Sequence, residues 1–84
     1  MRRVQVRVRY FAAAKAAAGV AEDVHDLPGG STIEGLLVAA GLGGHPVIGR
    51  SSFLVNGVTV PGPAPTRVLV DGDTLDVLPP FAGG

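Results

Sequence analysis

The chain has 84 residues, with seven basic and seven acidic side chains, a formal charge of zero and no cysteine. A chain this short makes one domain with a small core, and its balanced charge leaves no whole-molecule field to hold nucleic acid or an anionic membrane. The missing thiols exclude a disulfide framework, a thiolate metal site and a cysteine nucleophile in one step.

The N-terminal MRRVQVRVRYF carries charge at alternate positions and lacks the apolar stretch of a signal peptide, and no apolar run approaches membrane-spanning length. The expected compartment is the cytoplasm. In the same stretch Val4, Val6, Val8 and Tyr10 share one face and Gln5, Arg7, Arg9 and Phe11 the other, which predicts a half-buried strand. AAAKAAAG, Ala12 to Gly19, predicts a short helix closed by a glycine suited to left-handed geometry. EDVHDLP predicts a second strand. Val24 and Leu27 are three apart, so a bulge or an early end is expected there.

PGGSTIEGLLVAAG is the main amphipathic helix. Ser31 and Glu34 have capping-box spacing, Ile33, Leu36, Leu37 and Ala40 recur at helical intervals, and Gly41 can end it. GLGGHPVIGR is read as an irregular loop. SFLVNGVTV carries Asn56-Gly57 between two strand-like runs, the strongest short hairpin signal. A two-residue turn sets Val55 opposite Val58 and Phe53 opposite Val60 on the core face, with Leu54 and Thr59 on the other. PGPAP is a rigid connector. DGDTLDVLPP gives a turn at Asp71-Gly72 and a last strand with Leu75 and Val77 inward, Asp76 and Leu78 outward. The expected architecture is α+β, one mixed sheet with one main helix across its inner face, in a domain spanning residues 1–78 followed by a tail at 79–84.

Several partial motifs fall short of chemistry. Asp71, Asp73 and Asp76 lack the downstream glycine and bidentate glutamate of a calcium loop, and read instead as a turn plus one exposed strand carboxylate. His25 and His45 have no second ligand at metal spacing and read as surface or loop histidines. GRSSF around Ser51 lacks the second glycine of a nucleophile elbow, and GLGG at Gly41 to Gly44 lacks the rest of a phosphate-binding fingerprint. No autonomous active site and no metal site is expected.

Two features remain. Phe11, Leu54 and Leu78 are apolar where alternation predicts solvent, with Thr59 beside Leu54, which makes a candidate docking surface. Pro79-Pro80 stiffens the exit from the last strand, and after Phe81 the residues Ala82, Gly83 and Gly84 are nearly without side chains. Such a tail can enter a channel too narrow for bulkier residues and present a terminal carboxylate in a partner's active site. Gly84 is then the candidate reactive group, with Gly83 beside it.

VRVRYFAAAKAAAG, LPGGSTIEGLL, FLVNGVTV and above all DGDTLDVLPPFAGG give the chain its resemblance to the ubiquitin-like sulfur carriers, most closely the small subunit of molybdopterin synthase. The resemblance implies a β-grasp fold. It further implies that a partner adenylating enzyme, using ATP and magnesium, activates the carboxylate of Gly84. A sulfur donor such as a cysteine desulfurase or a rhodanese then converts it to a thiocarboxylate. In the molybdenum-cofactor branch the large synthase subunit accepts the tail, and sulfur passes to a cyclic pterin precursor. The chain itself is then a non-catalytic subunit and co-substrate that binds no cofactor. The family's partner-facing apolar patch maps onto Phe11 and Leu78, with Thr59 standing where a larger apolar residue is usual. Carriers for thiazole, cysteine or secondary-metabolite synthesis share the fold and the Gly-Gly end. A ubiquitin-like modifier joined through Gly84 to lysines, or a plain interaction domain, are the alternatives of other classes.

Overall fold

The computed structural model describes residues 2–61 and 66–79. Strands β1 (Arg3–Tyr10) and β2 (Glu22–Pro28) flank helix α1 (Ala13–Ala18); helices α2 (Ile33–Ala39) and α3 (Pro46–Gly49) follow; then come β3 (Ser52–Val55), β4 (Val58–Thr59) and β5 (Thr74–Leu78). The five strands form one sheet in the order β2-β1-β5-β3-β4. First and last strands lie side by side and parallel at its centre, and every other pairing is antiparallel. This is the β-grasp arrangement.

Alternation in β1 works as expected: Val4, Val6, Val8 and Tyr10 are buried, and the residues between them are exposed. Opposite them on the same side of the sheet sit Leu75 and Val77 of β5 and Phe53 and Val55 of β3. Ile33, Leu36 and Leu37 of α2, Ile48 of α3 and Leu69 close the core over this face. Each such side chain contributes roughly 1.5–3 kcal/mol by leaving water, so the thin core rests on a small number of them.

β2 departs from the sequence reading. Its register to β1 runs without interruption from Arg3 opposite Pro28 to Arg9 opposite Glu22, so there is no bulge. Val24 breaks the alternation because it belongs to the outer face, where it lies opposite Arg7. His25 falls on the core side and half-buried, not on the surface, with its Nε2 buried and lacking a hydrogen-bond partner.

The helix cap also differs. Thr32, not Ser31, is the N-cap of α2, its Oγ1 accepting from the Gly35 N–H at 3.2 Å, while the Ser31 hydroxyl donates back to the Pro28 carbonyl at 2.7 Å. Glu34 therefore stands one position too early to complete a capping box. At the other end Gly41 has φ +80, its N–H reaching the Val38 carbonyl and that of Leu42 the Leu37 carbonyl, the paired bonds of a Schellman ending with Leu42 buried behind it.

The segment read as an irregular loop contains α3. Pro46 occupies its first turn, where a missing N–H costs nothing, and His45 Nδ1 accepts from the Val47 N–H at 3.2 Å. In the hairpin, Asn56 and Gly57 both take positive φ, as a type I′ turn requires. Val58 faces the core side yet is 69% exposed, because β4 is two residues long at the sheet edge and little packs over it. The second turn, Asp71-Gly72, is tied to β1 by the Gln5 N–H donating to Asp71 Oδ1 at 2.8 Å and the Gly72 N–H to the Gln5 carbonyl at 2.9 Å.

Candidate functional site

The outer face of the sheet is built row by row from strand register. One row runs Glu22, Arg9, Asp76, Leu54, Thr59 across β2, β1, β5, β3 and β4. The next row toward the C-terminal end of β5 holds Phe11 and Leu78, for the Phe11 N–H donates to the Val77 carbonyl at 3.2 Å and continues the β1–β5 pairing by one residue. Ser52 lies opposite Leu78 on the far side. Phe11, Leu54, Leu78 and Thr59 thus share one face, adjacent to Pro79, where the tail leaves β5.

They are not equally open. Phe11 is 39% exposed and Thr59 is exposed, whereas Leu54, Leu78 and Pro79 are half-buried. The patch is therefore a shallow apolar surface with one projecting ring. Pro80, Phe81, Ala82, Gly83 and Gly84 lie outside the described residues.

Asp76, expected as an exposed strand carboxylate, is only 7% exposed. Arg9 lies opposite it in the parallel register, and the guanidinium donates through Nε at 2.6 Å and Nη2 at 2.8 Å to the two carboxylate oxygens. Two-point contact of this kind is the strong form of the ion pair. The hydrogen bond first, and the charge second, raise the Arg9 guanidinium further above its already high ordinary value. The same guanidinium lies 5.8 Å from the centroid of the Phe11 ring, within range of a cation–π contact. Arg9 and Asp76 thus join the apolar patch; the sequence reading placed both on the outer face, took Asp76 for an exposed strand carboxylate and did not pair the two. The available signal was two opposite charges at outward positions of strands that the β-grasp order makes neighbours.

Further along β1 the outer face carries Arg7 paired to Glu22 and Arg3 paired to Asp26 at 3.2 Å, both in solvent. Exposed pairs like these contribute little to stability, but they leave this part of the face charged and hydrated. Val24 is exposed among these charges, opposite Arg7, while Phe11, Leu54 and Leu78 gather at the end where β5 terminates.

Below the sheet, Asp73 is 6% exposed and fully engaged: Oδ1 accepts from Asn56 Nδ2 at 2.8 Å and Oδ2 from the Val70 N–H at 2.9 Å. Asn56 Oδ1 in turn accepts from the Thr74 N–H at 2.9 Å. This carboxylate is a clamp between two turns. Asp71 is likewise occupied in holding Gln5, and no group of three His, Cys, Asp or Glu side chains gathers at metal distance among the described residues. Ser51 donates to the Val47 carbonyl at 2.8 Å at the end of α3. The chemistry this face can offer is recognition: apolar contact and a fixed guanidinium around the exit of the C-terminal segment.

Comparison with known proteins follows the same lines. The model of the ThiS family matches residues 8–84. The molybdopterin synthase sulfur carrier subunit of Chlamydomonas reinhardtii is 35% identical over 85 residues, covering 96% of this chain and 100% of the relative. A putative molybdopterin converting factor, subunit 1, from Pyrococcus furiosus is 30% identical with a TM-score of 0.73, over 93% of this chain and 99% of that one. SAMP1 from Haloferax volcanii, with a TM-score of 0.74 over 95% of this chain and 99% of that one at 24% identity, shares the fold.

Proposed function

The chain belongs to the ThiS family, and on that premise we propose that it is a sulfur carrier of the molybdopterin synthase small-subunit type, with the carboxyl group of Gly84 as the atom set that carries sulfur. The observation that carries this reading is the similarity to a sulfur carrier subunit over 96% of this chain and 100% of the relative, beside a ThiS family match that runs to Gly84.

The reaction proceeds in two steps on a partner enzyme. A carboxylate is a poor electrophile, so a Gly84 oxygen first attacks the α-phosphorus of ATP, with magnesium neutralising the phosphates, and pyrophosphate leaves. A sulfur donor delivering a hydrosulfide equivalent then attacks the acyl carbon, AMP leaves, and a thiocarboxylate remains. That product is anionic and soft, and unlike a serine or cysteine nucleophile it requires no neighbouring base. A chain without cysteine is suited to this role, since it offers the activated acyl group no competing thiol of its own.

The large synthase subunit is the proposed recipient of the tail, and the face around Phe11, Leu54, Thr59 and Leu78 its proposed contact. Arg9, held flat by Asp76 beside Phe11, gives that contact a charged member. A cyclic pterin precursor is the proposed sulfur acceptor.

The test is the intact mass of the full chain after incubation with an adenylating enzyme, ATP, magnesium and a sulfur donor. Replacement of one oxygen by sulfur, absent when Gly84 is deleted, supports the reading. An unchanged mass, with the same enzyme active on a known carrier, overturns it. Thiocarboxylate that forms but yields no dithiolene with the large subunit moves the acceptor to another sulfur pathway, and Gly83-Gly84 remnants on lysines of other proteins assign the chain to the modifiers.

A further inference from the structure

Residues of α2 and α3 and the glycine-rich turn that joins them line a cleft of about 130 Å³. Both helices cover the inner face of the sheet, so the cleft lies on the side of the molecule opposite Phe11 and Leu78. Its apolar lining comes from Leu37 of α2, Leu42 behind the Schellman ending and Ile48 of α3, all buried. Gly43, Gly44 and Gly49 complete it, and Glu34, which is exposed, is the one charged residue among the described residues that line it. An engineered apolar cavity of about 150 Å³ takes up benzene, whereas cofactor and drug-sized ligands occupy about 300–1,000 Å³. The space suits a single phenyl- or leucine-sized group.

The three glycines answer different needs. Gly44 takes φ +78, and a Cβ at Gly43 would come within 3.0 Å of Val38 Cγ2. Gly49 has neither reason: its φ is not positive, and an added Cβ would meet nothing within 4 Å. Glycine in a helix costs stability relative to alanine, so at this position a side chain has been forgone where one would fit. What its absence preserves is the opening of the cleft. Glu34, in the first turn of α2 where the helix dipole favours a carboxylate, has no ion-pair partner among the described residues. Arg50, the next residue after Gly49, does not line the cleft. An apolar hole the size of one side chain thus stands beside one uncompensated negative charge.

We infer that this cleft is an anchor point for a partner protein, which inserts one leucine or phenylalanine side chain and sets a neighbouring lysine or arginine against the Glu34 carboxylate. Burial of the apolar group holds the segment, and the charge selects basic flanks over acidic ones. Because the cleft and the Phe11 face lie on opposite sides of the sheet, a partner here leaves the outer face open to a second protein at the same time.

The experiment follows amide shifts of the isotopically labelled full-length chain during titration with four acetylated, amidated tripeptides: Lys-Phe-Lys, Gln-Phe-Gln, Glu-Phe-Glu and Lys-Ala-Lys. The expected result is a saturable shift of the Leu37, Leu42, Gly44 and Ile48 amides, with Lys-Phe-Lys binding about two- to fivefold more tightly than Gln-Phe-Gln, Glu-Phe-Glu more weakly still and Lys-Ala-Lys not at all. Glu34→Gln should bring Lys-Phe-Lys to the level of Gln-Phe-Gln and leave the latter unchanged. Gly49→Leu, whose own side chain fills the space, should raise the thermal midpoint and abolish binding of every peptide. Glu34→Gln keeps the size of the side chain and decides the role of the charge whether or not Gly49→Leu folds. No saturable shift, shifts centred on another face, equal affinity for the Lys- and Gln-flanked peptides, or binding retained in folded Gly49→Leu overturns the inference.

Discussion

Arg9 and Asp76, 67 residues apart in the chain, meet as two-point partners on adjacent parallel strands, with guanidinium nitrogens 2.6 and 2.8 Å from the two carboxylate oxygens. The pair is asymmetric, for the Arg9 side chain keeps 46% of its surface in solvent while that of Asp76 keeps 11%. Removing the cation strands a nearly buried anion, whereas removing the anion leaves a cation that water can still solvate. Arg9→Ala is therefore expected to cost about 1–3 kcal/mol and Asp76→Ala less, measured by urea unfolding. Replacing both by apolar residues, Arg9→Met with Asp76→Leu, should recover most of the loss. Equal costs for the two single variants would contradict the asymmetry.

Docking and folding are expected to separate by face. Phe11→Asp places a charge on the exposed end of the outer face and should leave the thermal transition nearly unchanged while weakening binding to a large synthase subunit by about tenfold or more, roughly 1.4 kcal/mol. Leu75→Ala, at a fully buried position of the opposite face, should cost about 2–5 kcal/mol of stability. Calorimetry of both variants, alone and with the partner, checks the pair of outcomes. Unfolding by Phe11→Asp would mean that the ring is a core element.

Tyr10 is the only tyrosine and there is no tryptophan, so ionisation of its phenol can be read without interference. Burial first, and the charge of Asp23 second, push its pKa above the ordinary 10.0. A phenol held neutral in the fold stabilises the protein fully at pH values below the unfolded pKa, and that contribution is lost as pH rises from about 10 through the folded value. Tyrosinate absorbance in native protein should rise at higher pH than in denatured protein. The alkaline loss of stability should diminish in Tyr10→Phe. Coincident native and denatured titrations would refute the assignment.

Ala12 is held at φ 51, ψ −123 at the entry to α1, a region that side chains disfavour and glycine does not. Ala12→Gly is expected to stabilise the domain by about 0.5–1 kcal/mol, the relief of strain exceeding the entropy gained by the unfolded chain. Thermal unfolding checks it. A lower midpoint would show that the contacts of the methyl group outweigh the strain.

Much of this was legible because local signals and the fold agree. The even positions of β1 declare their face without help, Asn56-Gly57 dictates its own turn, and Gly41 ends α2 where the periodicity stops. What escaped the sequence depended on neighbours. Val58 has the parity of a core residue, and only the strand order reveals that it sits at an edge. Val24 disturbs the alternation of β2 because it belongs to the outer face, where its neighbours two residues away in the strand, Glu22 and Asp26, are charged. Ser31 and Thr32 are chemically equivalent cap candidates, and the choice falls to Thr32 because the Ser31 backbone and hydroxyl are taken by Leu69 and Pro28. α3 is a single turn seeded by the His45-Pro46 step, too short to show a period. Arg9 and Asp76 are ordinary outward charges until the parallel pairing sets them side by side.

That pairing has a mechanical side. β5 is flanked by β1 and β3, so whatever pulls on the segment after Pro79 does not peel an edge strand one bond at a time. The load acts along the strand and shears two ladders together, with the Arg9–Asp76 bridge as a cross-tie near the loaded end. A carrier built this way can be gripped by its end, drawn into a partner and withdrawn again, while its fold bears the tension.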